Sequence, residues 1–254
     1  MAESRYHVPN LDRALDILEL LAKTPAGMNR AEIADAIGLS TNMVYRISMT
    51  LSDRGYLFRD ETDKRYRLAP KMLELCRSSL DDYSLAARGW DDMVALRDEL
   101  GETVHLGVLS GQEGVVIERV LGNQPVCVLV ERGLSFDLHA SAPGKVLLAG
   151  LSNGCRKKLL KQLPCPMYTE TTIGKTALPA VIDQAAAQGY ATDLGERFQG
   201  INCVAAPVCN AGGEVVASLC VTGPASRIEA GHSAEVAAVV KEHAARISHR
   251  LGYR

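Results

Sequence analysis

Aromatic side chains are scarce in this sequence of 254 residues, at 5% with a single tryptophan. Any core it builds is mostly aliphatic. Long apolar runs are missing too, and nothing approaches the roughly eighteen apolar residues that a membrane-spanning helix needs. The opening Met1-Ala2-Glu3-Ser4-Arg5-Tyr6-His7 has no apolar signal core, so the sequence reads as cytoplasmic, with no membrane partner. There is no excess of one charge: 28 Lys and Arg face 30 Asp and Glu, a formal net charge of −2. Nucleic-acid binding would therefore require cations gathered locally. Also absent are C-x-x-C, H-E-x-x-H, G-x-S-x-G, a Walker sequence, and G-x-G-x-x-G after a strand. A structural zinc site and the common nucleotide-dependent, metal-dependent and serine-hydrolase enzymes lose their sequence basis, and no metal or cofactor is expected. The seven cysteines are odd in number and irregularly spaced, and read mainly as small buried apolar groups. At 47% hydrophobic and 23% charged the chain is globular, long enough for one large or two ordinary domains.

The first seventy residues carry the clearest local signals. Asn10 is placed to cap a helix whose apolar side is Leu11, Ala14, Leu15, Leu18 and Leu21. Thr24-Pro25-Ala26-Gly27 breaks it. Asn29 caps a short second helix, with Glu32 at the position of a capping box and Gly38 at its end. Ser40 opens a third helix from about Thr41 to Arg54, with Val44, Ile47 and Leu51 on one face and Asn42, Tyr45, Arg46 and Met49 away from it; Thr41, at its N-terminus, joins Asn42, Tyr45 and Arg46 as a candidate to reach bases. Two helices joined by a glycine turn, the second polar on its outer edge, form a helix-turn-helix pattern. Asn pairs with adenine and Arg with guanine in a major groove that admits a helix. Residues 55–59 and 65–68 flank a polar turn, predicting a hairpin wing in which Arg59, Lys64, Arg65 and Arg67 meet phosphates. Residues 1–70 hold ten basic and ten acidic side chains, so this interface rests on geometry rather than net charge. The alternative is a three-helix protein-interaction module, or a winged helix that binds no DNA.

The expected organisation is α+β: a winged helix-turn-helix over 1–70, linker helices over 71–100, and an antiparallel-sheet domain over 101–254. In the last part, strands are predicted at Thr103–Leu109, Val115–Val120, Val126–Glu131, Ile201–Val208 and Glu214–Thr222, with helices following Leu138, at Arg156–Gln162, at Leu178–Gln188, and closing from Ile228 to Arg250. In the final strand Val215, Ala217, Leu219 and Val221 share an apolar face suited to packing against helices. Val216, Ser218, Cys220 and Thr222 share a face with small polar tips, suited to lining a cavity.

Taken together, Leu-Asp-Arg-Ala-Leu-Asp-Ile-Leu-Glu-Leu-Leu at 11–21, Ala-Glu-Ile-Ala at 31–34, Arg-Gly-Tyr at 54–56, Gly-Glu-Thr-Val-His-Leu at 101–106, Leu-His-Ala-Ser-Ala-x-Gly-Lys at 138–145 and Gly-Ile-x-Cys-x-Ala-Ala-Pro-Val at 200–208 make the chain resemble the IclR family of bacterial transcriptional regulators. The resemblance implies a DNA-binding head on a GAF-like effector domain. It implies a homodimer or homotetramer on a double-stranded operator, and repression or activation of catabolic genes. It also implies a small-molecule effector, such as a small organic acid, held by Ala142, Pro143, Asp193, Cys203, Ser218 and Cys220. Backbone N–H groups entering the helix after Ser141 would favour its carboxylate.

This chain departs from the family pattern in Pro143, which removes one such N–H, in Asp137 where proline is usual, and in Arg197-Phe198-Gln199, where Phe198 would help close an apolar lid. His139 reads as structural and Lys145 as a surface or interface cation, while Glu196 is placed to order a lid through an ion pair. Two other functions stay open: an enzyme using Cys203 with His139, and a thiol sensor pairing Cys203 with Cys220 if strand register allows.

Overall fold

The computed structural model describes residues 8–72, 74, 75 and 85–254. It forms two compact units, Met1–Tyr83 and Ser84–Arg254. The middle of the expected linker, Leu73 and residues 76–84, lies outside the described residues.

In the first unit, α1 spans Pro9–Ala22. Asn10 is not its cap: Val8 precedes the helix and Pro9 opens it, where a missing N–H costs nothing. The buried stripe also differs from the expected one. Ile17 and Leu21 enter the core, while Leu11 and Leu15 are 59% and 48% exposed. The helix carries two apolar stripes, and periodicity alone does not say which one Ile33 and Val44 meet. Helix α2 (Arg30–Ile37) forms the expected capping box. Asn29 Oδ1 accepts from Ala31 N at 2.9 Å and Glu32 N at 3.1 Å, and Glu32 Oε2 accepts from Asn29 N at 2.9 Å. Asn29→Ala is therefore expected to cost about 1 kcal/mol, read as a lower midpoint in urea unfolding followed by circular dichroism. Gly38 ends α2 at φ 67°. Helix α3 (Thr41–Asp53) is capped by Ser40 and buries Val44. Strands β1 (Leu57–Arg59) and β2 (Tyr66–Leu68) pair antiparallel as the wing. Buried Tyr66 anchors it, exchanging backbone bonds with Met28. Gly27 allows that approach: at φ +77°, a Cβ there would stand 2.8 Å from Tyr66 O.

The second unit begins with α4 (Leu85–Leu100) and is built on one antiparallel sheet. Its strands are β3 (Thr103–Ser110), β4 (Glu113–Val120), β5 (Ser135–Asp137), β6 (Ala191–Leu194), β7 (Ile201–Cys209) and β8 (Val215–Pro224), in the order β5-β4-β3-β8-β7-β6. Helix α4 and the closing α8 (Ser233–Arg250) pack on one face over Leu106, Val204, Leu219 and Val221. Helices α5 (Ala142–Gly150) and α7 (Leu178–Gln188) cover part of the other, and α6 (Asn153–Gln162) lies between them in sequence.

The expected strand at Val126–Glu131 is not formed. Its carbonyls serve side chains instead: Val126 O accepts from Arg227 Nη2 and Val128 O from Thr103 Oγ1, both at 2.7 Å. The closing helix begins at Ser233 rather than Ile228, after a 3-10 turn at Ala230–His232. On β8, Ala217, Leu219 and Val221 face α4 and α8 as expected, but Val215 lies on the opposite side and Val216 takes its place. The cause is a bulge: Val208 pairs with Ala217 but Cys209 with Val215.

Candidate functional site

The outer edge of α3 is solvent-facing where the pattern places it. Thr41, Asn42, Tyr45 and Arg46 are all exposed, while Val44 and Ser48 on the other side are buried. Arg46 forms no ion pair with a described residue. Beside this edge, Asn29, Arg30 and Ala31 at the start of α2, Tyr45 of α3, and Arg59, Lys64 and Tyr66 of the wing enclose a basin of about 360 Å³. Its lining carries three cations, Arg30, Arg59 and Lys64, which favours anions, while the N–H groups of Ala31 and Glu32 are already taken by Asn29. Arg30 was missed by the sequence reading; its place directly after the Asn29 cap is the signal that would have found it.

The wing cations are not free charges. Arg65 clasps Glu32 through both Nη atoms (2.9 and 3.0 Å) and donates to Gly27 O at 2.7 Å. Arg67 binds Asp63 at 2.5 Å and Asp60 at 3.3 Å, and its hydrogen bond holds the Asp63 carboxyl below its ordinary range. Lys64 binds Glu61 at 2.6 Å, and Arg59 lies 4.0 Å from the same carboxylate. Arg65 and Arg67 thus tie the wing together, and Arg59 and Lys64 stand at the basin.

In the second unit a cavity of about 290 Å³ opens on the sheet face not covered by α4 and α8. Its floor is His105 of β3, Thr222 of β8, Cys203 of β7 and Asp193 of β6, which the strand register aligns on one face. Ser141 and Pro143 bound it at the start of α5. Val116, Val130, Leu134, Phe136 and Ile201 form apolar walls, and Arg197 and Phe198 also line it.

Of the six expected effector contacts, Pro143, Asp193 and Cys203 line this cavity. Ala142, Ser218 and Cys220 do not. Ala142 and Cys220 are packed with Val146, Ala185 and Ala205, and Ser218 is fully buried. Helix α5 lies over that stretch of β8 and fills the space that alternation left open. The helix start also offers little to an anion. Pro143 has no N–H, and Gly144 N already donates to Ser141 Oγ at 3.1 Å.

Burial sets the charge of the floor. It pushes the His105 imidazole down to about 4, leaving it neutral at pH 7, and His105 Nδ1 has no hydrogen-bond partner among the described residues. It pushes the Asp193 carboxyl up to about 6 against the pull of the Glu196 N–H at 2.7 Å. Lys145 is no surface cation: it is 1% exposed, bonded to Glu196 and, at 2.8 Å, to Thr192 O. The expected ion pair of Glu196 is thus made, with a buried partner. At the rim, Arg197 Nε lies 2.9 Å from Asp137 Oδ2, and its guanidinium stacks 3.7 Å from the centre of the Tyr168 ring.

His139 Nε2 is engaged with Pro166 O at 3.0 Å, the structural role expected, while Cys203 faces Thr222. Cys220 pairs with Ala205, so the two thiols sit diagonally on one sheet face and interact; burial and then Cys203 raise the Cys220 thiol well above its ordinary range, away from the reactive thiolate. Among the described residues no cluster could hold a metal ion, and no helix is long and apolar enough to cross a membrane.

Comparison with known proteins matches residues 10–61 to the IclR helix-turn-helix domain and residues 77–249 to the bacterial transcriptional regulator IclR C-terminal domain. The chain is similar to the HTH-type transcriptional regulator XynR of Escherichia coli, 31% identical over 249 residues, which are 97% of this chain and 98% of the relative. It is similar to the crystal structure of Thermotoga maritima IclR, with a TM-score of 0.75 and 31% identity over 97% of this chain and 100% of that one. The fold is shared by an IclR homologue from Microbacterium hydrocarbonoxydans complexed with 4-hydroxybenzoate, with a TM-score of 0.83 and 23% identity over 95% and 98% of the two chains.

Proposed function

Because this chain belongs to the IclR family of bacterial transcriptional regulators, with both the DNA-binding and the effector-binding domain present, we propose the following division of labour among its residues. Thr41, Asn42, Tyr45 and Arg46 read base edges in the major groove. Arg30, Arg59 and Lys64 seat a backbone phosphate in the basin beside α2, and Arg65 and Arg67 hold the wing in the shape that presents it. The reader is a homodimer or homotetramer, since two-fold operators match two-fold proteins. Exposed Leu11 and Leu15 on α1 are apolar surface of the kind a second copy covers. A solution mass of one chain at operator-binding concentration would remove that assignment.

The effector is a small organic acid with an apolar body, seated over Pro143, Asp193, Cys203, His105 and Thr222. The observation that carries this is the composition of the cavity: apolar walls with a few convergent polar groups on the floor, the usual make-up of a small-molecule site. 4-Hydroxybenzoate, the ligand of the Microbacterium homologue, is of this class and is the first compound to try. The acid acts only to the extent that it binds the DNA-competent and DNA-incompetent states differently.

Selection of bound duplexes from a randomised pool tests the first half: a recurring two-fold motif is expected, and its absence would refute specific reading. Ile201→Trp, which fills the cavity from its half-buried wall, tests the second. It is expected to abolish the thermal stabilisation by an acid that reaches about 2.7 kcal/mol at a hundredfold over Kd in the wild type, while operator binding persists. Full stabilisation of the filled variant would place the effector elsewhere.

A further inference from the structure

If the cavity holds an organic acid, as proposed above, its floor is a poor place for the carboxylate. Asp193 is the floor's ionisable acid, His105 is neutral, and the α5 start has lost Pro143 as a donor and has committed Gly144 N to Ser141. Like charges repel across a low-dielectric cavity, so the carboxylate points away from Asp193. Arg197 is the one cationic side chain among the described residues that line the cavity.

Arg197 is already occupied from outside. Asp137 does not line the cavity, yet its Oδ2 stands 2.9 Å from Arg197 Nε. The two Nη groups of Arg197 make no hydrogen bond to a described residue. The guanidinium carbon lies over two rings, 3.7 Å from the centre of Tyr168 and 4.9 Å from that of Phe198. Asp137 has a second partner in Tyr168, whose hydroxyl donates to Oδ1 at 3.0 Å.

We propose that Asp137 is a built-in competitor for the effector's carboxylate: it holds Arg197 at the rim of the cavity, and an entering acid takes its place on the guanidinium. The geometry makes the exchange cheap. Arg197 keeps its stacking on Tyr168 while its planar fork turns to the acid. Asp137 keeps the Tyr168 hydroxyl and, with a side chain 27% exposed, regains water. The exchange also connects to α5, because Asp137 O accepts from Ser141 Oγ, the cap of that helix, at 2.6 Å. The pair thereby sets specificity. A neutral amide of the same shape cannot displace Asp137, whereas a carboxylate offers the guanidinium an equivalent partner.

The test is calorimetric titration of the full-length protein with matched acids and amides: benzoate and benzamide, 4-hydroxybenzoate and 4-hydroxybenzamide, hexanoate and hexanamide. In the wild type at least one acid is expected to bind about tenfold more tightly than its amide. Asp137→Asn removes the competing charge and is expected to tighten that acid about two- to fivefold, the worth of an exposed ion pair, with the amide unchanged. Arg197→Met is expected to bring the acid down to the level of the amide. Acid binding that is unchanged or weaker in Asp137→Asn, acid preference that survives Arg197→Met, or no acid preferred over its amide would overturn the proposal. Ile201→Trp in parallel separates the two assignments. Acid binding lost with the cavity but blind to Arg197 and Asp137 overturns the exchange alone. Binding that depends on Arg197 and Asp137 yet survives filling upholds the exchange and overturns the cavity as the seat of the acid's body.

Discussion

Arg46→Ala is expected to weaken operator binding by about 1–3 kcal/mol for each half-site, the worth of a bidentate contact to guanine, and by about twice that in a two-fold complex. Stability is expected to stay within about 0.5 kcal/mol, as for an exposed side chain outside any network. Arg46 is solvent-facing on α3 and makes no ion pair with a described residue. The loss is expected at one base pair of each half-site, so the variant should also accept other bases there. Lys64→Ala and Arg59→Ala should differ in kind: each weakens all duplexes alike and lowers the salt slope by about one for each half-site. Arg65→Ala should differ again. It frees Glu32, which then completes only the capping box at Asn29, and it unties Gly27 O; DNA affinity and wing order should fall together. Binding of specific and random duplexes over a salt series, with melting curves for each variant, separates the three patterns. Wild-type specificity in Arg46→Ala would remove this residue from base reading.

The head could be read closely from the chain because its signals are local. A cap and its box partner lie three residues apart, as Asn29 and Glu32 do, and the exposed edge of α3 follows from helical spacing around Val44. The partners of the wing charges were not legible for the same reason: Arg65 answers Glu32 from thirty-three residues away, and spacing carries no trace of that. In the second unit, alternation correctly put Ser218, Cys220 and Thr222 on one face of β8. Which of them meets open space depends on where α5 crosses, and it covers the first two while leaving Thr222 at the cavity. His105 was overlooked although β3 pairs it with Cys220; its face is defined only once the strands are adjacent. Lys145 looked like a surface cation because its buried partner, Glu196, arrives with the turn after β6.

Asp193 is expected to make the protein lose stability as pH rises from about 4 to 7, in a way that Asp193→Asn abolishes. Its carboxyl has an ordinary value of 3.8 and is pushed up to about 6 in the fold, first by burial and then by Glu196, against the Glu196 N–H and Lys145. With the folded value above the unfolded one, the native state binds more protons between the two. The contribution is fully present below 3.8 and is lost as pH rises through about 6. A gap of this size corresponds to about 3 kcal/mol. The difference in unfolding free energy between Asp193→Asn and wild type should therefore move in favour of the variant by about that amount between pH 4 and pH 7. Taking the difference removes the contribution of carboxylates common to both. Parallel stability curves would show that Asp193 does not titrate in this window. The cost comes first from burial of the carboxylate on the cavity floor. An effector whose far end carries a hydroxyl would donate to Asp193 and stabilise the charged form. Its binding near pH 6 should then release protons, visible as a heat that varies with the ionisation enthalpy of the buffer, while the same acid without the hydroxyl should release fewer. Equal release by both would mean that the ligand's polar end does not reach Asp193.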